Sequence, residues 1–499
     1  MARIIPHFIQ GEPVEDSGAE RAPVYNPNTG EVQAELTLGD AKILNQAVAS
    51  ARAAFPAWAG LTPQKRARVM FAFKALLERE MDALADLLAS EHGKIVADAK
   101  GDIQRGLEAI EFACGVPHLV KGEHSGAVGP GIDMYSLRQP LGVVAGITPF
   151  NFPAMIPMWM FGLALACGNC FILKPSEKDP SVPMRLAELL QEAGVPPGVF
   201  HVVHGAKPIV DAIVRHPDIA AVSFVGSSAV AEQVYADAAR HGKRVQAMGG
   251  AKNHMLILPD ADMERAANDL VGAAYGSAGE RCMAISVAVP VGEEAADKLL
   301  PLLLDKVQAL KPGPSHDAGS DFGPLVTAAH KERVEQYIAQ GVDEGAELLV
   351  DGRGFALQGY EQGFFLGGSL FDRVTADMTS YQEEIFGPVL QIARADTLDQ
   401  ALALPSRHAY GNGAAIFTRN GAAAREFAAR VEAGMVGINV PIPVPLSYYT
   451  FGGWKRSAFG DTNQHGTDGM KFWTRIKTVT ARWPDAPSDA SAFVLPNLS

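Results

Sequence analysis

The sequence predicts an α/β protein built from two doubly wound lobes, and three observations carry that expectation. The chain has 499 residues, more than a single hydrophobic core usually serves, so two or three lobes are expected. From Gly142 onward, short apolar runs alternate with helical stretches, the rhythm of parallel strands covered by helices on both faces. A second alternating series follows Cys282.

The elements follow in chain order. In "LTPQKRARVMFAFKALLEREMDALADLLASEHGK", Thr62 is placed to cap a long helical region and Pro63 to occupy its first turn. Val69, Phe73, Leu76, Leu77, Leu84, Leu87 and Leu88 recur there at helical spacing, which marks a stripe facing the core. The first βα series reads "GVVAGI", "FILK", "VFHVV" and "AVSFV" as strands, with helices around 154–167, 183–193, 208–215 and 229–240. The second series is "AISVAVPV", "ELLVDG", "GPVLQIA", "GAAIFT" and "MVGINV". A joint near Gly249–Gly250 would place Cys282 at the edge of the second lobe, facing the first. Near the end, "RIKTVTARW" (475–483) alternates as a strand whose edge needs a partner.

Composition narrows the function. A hydrophobic content of 47% and a charged content of 20% describe an ordinary globular chain. The net charge of −13 argues against nucleic acid or an anionic membrane as main partner, because both require basic surface. The stretch between Arg138 and Lys174 carries no charge, but prolines interrupt its first half. Met158 to Leu173 falls short of the ~20 residues a membrane span needs. The four scattered cysteines make no disulfide framework, and the opening "MARIIPHFIQGEPVED" lacks a signal peptide's apolar core. A cytoplasmic location is expected, with a mature organellar form as the alternative.

Among the cysteines, Cys282 in "SAGERCMA" stands apart, directly behind Arg281 and after a run of small residues. Cys167 and Cys170 in "CGNC" have redox-like spacing, yet they close an apolar run and read as buried filler; no metal site is expected. No G-x-G-x-x-G, P-loop, H-E-x-x-H or G-x-S-x-G occurs. Two strand ends nevertheless suit a nucleotide. After "AVSFV", Gly226 permits a turn, and Ser227 and Ser228 open a helix whose N-terminus attracts anions. After "FIL", Lys174 and Glu177 suit a ribose and phosphates.

Six motifs then occur in order: "TPFNFP" (148–153), "KPSE" (174–177), "FVGSS" (224–228), "GERC" (279–282), "EEIFGP" (383–388) and "FGGWKRSAFGD" (451–461). With them the chain resembles the aldehyde dehydrogenase superfamily over essentially its full length. The resemblance implies an aldehyde dehydrogenase-like fold. Residues 1–120 and 141–248 would form an NAD-binding domain, 249–450 a catalytic domain, and 121–140 with 470–485 a small β oligomerisation element, in homodimers or homotetramers.

It also implies roles. Cys282 would attack an aldehyde and, after hydride loss to NAD, carry a thioester. Asn151 and the Cys282 backbone N–H would hold the oxyanion. Lys174 and Glu177 would meet the adenosine ribose, where an acidic side chain favours NAD over NADP. Thr148, Phe150, Lys178, Ser227 and Gly249 would line the rest of the cofactor, and Glu384 would bind the nicotinamide ribose. Ala231 stands where the family usually has a glycine ending the phosphate turn.

One departure bears on the reaction. Hydrolytic members carry a glutamate at the head of "E-L-G-G-K", which activates water against the thioester. Here "QAMGGAKNH" puts Met248 at that place, or Ala247 if the alignment shifts by one; neither is a base. This resembles a subfamily of CoA-acylating dehydrogenases acting on methylmalonate and malonate semialdehydes, with coenzyme A as acyl acceptor and loss of CO2. In that subfamily two arginines read the substrate carboxylate, matching Arg281 and Arg105 here. Alone, Arg105 would read as a solvated helix charge. Arg281 would also depress the thiol pKa of Cys282. His254 is expected to begin a strand and pack locally, and Glu280 to pair with a lysine or arginine without a catalytic role. The alternatives are a hydrolytic dehydrogenase and a non-catalytic member of the fold; retention of Cys282, Asn151 and Glu384 speaks against the latter.

Overall fold

The computed structural model describes residues 3–15 and 18–483. Residues 484 and 485 of the expected oligomerisation tail lie outside the described residues, as do 1, 2, 16 and 17 of the first expected domain.

The first lobe is an eight-stranded sheet. Its five parallel strands lie in the order Arg244–Met248, Ile219–Val225, Val143–Ile147, Cys170–Lys174, Phe200–Val202. Every residue of Val143–Ile147 and of Cys170–Lys174 is buried, as expected of strands covered on both faces. The sequence order reverses direction between Val143–Ile147 and Ile219–Val225. In open α/β sheets such a switch point opens a crevice at the carboxyl ends of the strands. Antiparallel additions close both edges: His7–Ile9 and Glu12–Val14 beyond Phe200–Val202, and Ala458–Phe459 beyond Arg244–Met248.

The second lobe is a seven-stranded sheet, in the order Glu347–Val350, Ser369–Asp372, Val389–Ile392, Ile285–Pro290, Asn253–Ile257, Gly413–Phe417, Met435–Ile438. All neighbours are parallel except the first pair. A third sheet pairs Thr474–Arg482 antiparallel to Ile132–Pro140, with His124–Gly129 on the other side. Its exposed apolar side chains include Met134, Leu137 and Ile476. Arg3–Ile5, Glu31–Thr37 and Arg21–Asn26 form a small sheet of their own.

The charge-free stretch holds the helix Met155–Ala166, buried on all sides. No helix among the described residues is long and apolar enough to cross a membrane. The long helical region is two helices, Pro63–Arg79 and Met81–His92, parted at Glu80. Thr62 accepts from the Lys65 N–H as a cap, and Phe73, Leu77, Leu84 and Leu88 are buried. In Ser228–Arg240, Ala231 is fully buried, so its methyl fits where a glycine was expected for close packing.

Candidate active site

The cysteine is presented by a strained turn. Between the helix Met263–Tyr275 and the strand Ile285–Pro290, Ser277, Ala278 and Gly279 all have positive φ, at 54°, 52° and 74°. Left-handed backbone costs a non-glycine residue roughly 1–2 kcal/mol, and such strain gathers at functional sites. At Gly279 the chain runs so close to Gly387 that a Cβ would stand 2.1 Å from its carbonyl oxygen. Small residues before "ERC" are therefore a packing requirement. Two amides fix the turn's exit: Asn253 and Asn412 each donate Nδ2 to the Cys282 carbonyl at 2.9 Å.

Cys282 is half-buried and packs against the core of the first lobe. Its thiol is pushed up to about 12, first by burial and then by the nearby carboxylate of Glu384. The expected depression by Arg281 does not prevail over burial, and Arg281 Nη2 instead donates to Asp98 Oδ1 at 2.6 Å. Cys282, Arg281 and Glu384 line one small cavity together with Lys252 and Asn253. Glu384 Oε1 accepts from the Ala251 N–H at 2.8 Å, and burial raises this carboxyl to about 7. Lys252 Nζ holds the segment before Glu384 through the carbonyls of Ser380 (2.7 Å) and Glu383 (2.9 Å).

Asn151 comes from the turn after Val143–Ile147 and reaches the cysteine loop, donating Nδ2 to the Glu280 carbonyl at 3.0 Å. The amide has a second N–H for an oxyanion. The sequence gives no sign of what holds Asn151: Lys94 Nζ donates to its carbonyl at 2.6 Å and pairs with Asp102 at 3.5 Å, both side chains fully buried. Lys94 directly follows Gly93, whose φ of 95° ends the helix Met81–His92.

The nucleotide candidates converge on the switch-point crevice. Thr148, Phe150, Lys174, Glu177, Lys178 and Ser227 all line one cleft of about 480 Å³. The fit to a dinucleotide rests on unsatisfied groups. Thr148 Oγ1 is buried with no hydrogen-bond partner among the described residues. Ser227 caps Ser228–Arg240 without a side-chain bond to the helix, leaving the N-terminal N–H groups to an anion. Burial pushes Glu177 up, yet the Lys174 ammonium, 3.2 Å away, brings it below its ordinary value, so it stays ionised. Lys178 Nζ lies 4.3 Å from the centre of the Phe150 ring. Gly249 sits elsewhere: its N–H donates to Ser457 at 2.9 Å, where the lobes join. Ser228 tightens the same joint, accepting from Gly250 N and donating to the Arg456 carbonyl.

The remaining candidates separate. Arg105 lies on the helix Val96–Cys114, partly exposed, with Nη1 2.9 Å from Glu108. Met248 ends its strand, buried beside Val225 and Ala458. His254 packs locally in its strand, bonded to the Lys252 carbonyl and the Tyr381 hydroxyl at 2.8 Å each. Glu280 departs from the expected lysine or arginine pairing. Its fully buried carboxyl meets His330 at 3.5 Å, His92 at 3.9 Å and the Val326 N–H, and burial raises it to about 8. Cys167 and Cys170 are buried, with thiols pushed up to about 12 by burial.

A strained cysteine turn, an amide reaching it from the other lobe and a dinucleotide crevice define a class, and the chain belongs to the aldehyde dehydrogenase family, whose model matches residues 14–479. It is 56% identical over 99% of both chains to a malonate-semialdehyde dehydrogenase of Pseudomonas aeruginosa. It is 48% identical to an acylating, mitochondrial methylmalonate-semialdehyde dehydrogenase of Arabidopsis thaliana, over 98% of this chain and 80% of that one. Among solved structures, a Sinorhizobium meliloti protein described as a methylmalonate-semialdehyde dehydrogenase, in complex with NAD, superposes with a TM-score of 0.96. It is 60% identical, with coverage of 97% of this chain and 99% of that one.

Proposed function

We propose that this enzyme oxidises malonate semialdehyde, methylmalonate semialdehyde or both with NAD, and passes the acyl group to coenzyme A with loss of CO2, giving acetyl-CoA or propionyl-CoA. The observation that carries the acylating outcome is Met248, a buried thioether where hydrolytic relatives hold a general base. Names borne by the Pseudomonas and Arabidopsis relatives support the substrate class.

The chain's own groups account for the steps. Cys282 Sγ bonds the aldehyde carbon, while Asn151 Nδ2 and the Cys282 N–H receive the oxyanion. NAD, when bound, supplies the hydride acceptor. Thr148, Phe150, Lys174, Glu177, Lys178 and Ser227 would hold it, and the ionised Glu177 would repel a 2′-phosphate. Glu384 would position the nicotinamide ribose. Gly249 contributes through the lobe joint. Loss of the hydride leaves a malonyl or methylmalonyl thioester on Sγ; its far C–C bond breaks to release CO2, and the α-carbon takes up a proton. The thiol of coenzyme A then gives up its proton and attacks the remaining acyl thioester, releasing the cysteine thiolate. Arg281 and Arg105 grip the substrate carboxylate during binding.

In this reading residues 1–120 and 141–248 bind NAD, and 249–450 carry the nucleophile. Residues 121–140 with 470–485 pair subunits of a homodimer or homotetramer, an assignment supported by the exposed Leu137 and Ile476. The location is cytoplasmic. NADH formation from each semialdehyde, with and without coenzyme A, tests the function. Turnover is expected to depend on coenzyme A and to end in acyl-CoA. Sustained turnover without it, yielding free acid, overturns the acylating reading.

A further inference from the structure

We infer that Asp98 is a positioning residue that sets selectivity for aldehydes with a far carboxylate, by seating Arg281; this rests on the role given above to Arg281. Asp98 Oδ1 accepts from Arg281 Nη2 at 2.6 Å, and the pair is largely shielded, with side-chain exposures of 17% and 22%. The guanidinium lies over bare backbone at Gly276, where a Cβ would stand 2.5 Å from Nη1, 2.8 Å from Cζ and 2.9 Å from Nη2. One edge is thus held by a carboxylate and one face by a missing side chain.

A guanidinium offers five N–H groups, so a single bond to Asp98 leaves donors for a second carboxylate. Asp98 Oδ2 is buried with no partner among the described residues, so it can take a second N–H if the guanidinium tilts toward a ligand. A free arginine loses rotamer freedom when it binds, and an anchored one has lost it already. Asp98 and Arg105 share the helix Val96–Cys114. Seven residues apart, they fall on one face about 10 Å apart along the axis. The helix that carries one arginine therefore aims the other.

The test is the ratio of kcat/KM for malonate semialdehyde to that for propanal, with NAD and coenzyme A saturating. Asp98→Ala is expected to lower the ratio about tenfold, mainly through KM for the semialdehyde. Asp98→Asn keeps an acceptor oxygen and is expected to recover most of it. Gly276→Ala leaves every charge in place and suits the local backbone (φ −54°, ψ 137°), but it is expected to lower the ratio by pushing the guanidinium off its seat. If Arg281→Leu collapses the ratio while Asp98→Ala and Gly276→Ala leave it at the wild-type value, the role of Asp98 is overturned and that of Arg281 stands. If Arg281→Leu itself leaves the ratio intact, the reading of Arg281 fails. Equal loss on both aldehydes in Asp98→Ala, or a ratio above wild type in Asp98→Asn, also overturns the proposal. The first would make Asp98 merely structural and the second a competitor.

Discussion

Lys94 holds Asn151 by its carbonyl at 2.6 Å, so the amide that faces the cysteine loop is fixed from behind by a fully buried cation. Breaking a buried ion pair from one side leaves the other charge uncompensated. Lys94→Met is therefore expected to destabilise the fold by about 3–5 kcal/mol through the stranded Asp102, and to lower kcat by about 10²-fold as Asn151 shifts. Adding Asp102→Asn should restore much of the stability but little of the rate. Thermal unfolding and steady-state NADH formation on the same samples measure both.

Glu384 raises the Cys282 thiol, and its own carboxyl titrates near 7. Glu384→Gln removes the like charge, so the thiol pKa falls and alkylation by iodoacetamide at pH 8 speeds up. Each unit of pKa gives about tenfold more thiolate. Below pH 6 the wild-type carboxyl is already protonated, and the two rates should converge. A rate–pH profile of inactivation checks this, with Cys282→Ser as the unlabelled control.

Glu280 binds its proton more tightly folded than unfolded, since burial raises it from 4.5 to about 8. Its contribution is fully present below pH 4.5 and is lost as the pH rises through 8. The melting temperature of Glu280→Gln relative to wild type should therefore climb between pH 5 and 9. A difference that stays flat across that range would show Glu280 ionising freely in the folded chain.

The strand Thr474–Arg482 exposes Ile476, at 58%, opposite Arg138 of Ile132–Pro140, and Leu137, paired with Lys477, is exposed on the other face of the same sheet. Ile476→Asp should shift the protein toward monomer in sedimentation velocity, and Leu137→Asp should do the same. Thr474→Ala, at a buried position of the same strand, should leave the mass distribution as in wild type.

Much of this arrangement is legible in the sequence because it is written in local patterns. The buried strands "GVVAGI" and "FILK" are continuous apolar runs, and Thr62–Pro63 announces a helix start. Elsewhere the pattern is silent. Arg244–Met248 holds few apolar residues in a row, and its buried Gln246 is accommodated by a 3.1 Å hydrogen bond to Ser223 on the next strand. Ala458–Phe459 is too short to show a period, and only its pairing with Ala247 and Met248 makes it a strand. Among site residues, Cys282 stands out through its neighbours. Asp98 and Lys94 look like ordinary charges on helical segments, because their partners are 183 and 57 residues away.

The chain leaves the first sheet at Met248 and returns to it at Ala458, and the two crossing points touch, with Gly249 N 2.9 Å from Ser457 O. Everything between them is topologically an insert whose ends meet, the geometry under which one domain can be set inside another. The first lobe is thus a discontinuous domain closed around that seam. Swapping the span from Gly250 to Arg456 for that of another family member would replace Cys282 and Arg281 together while leaving Met248 behind, in the host.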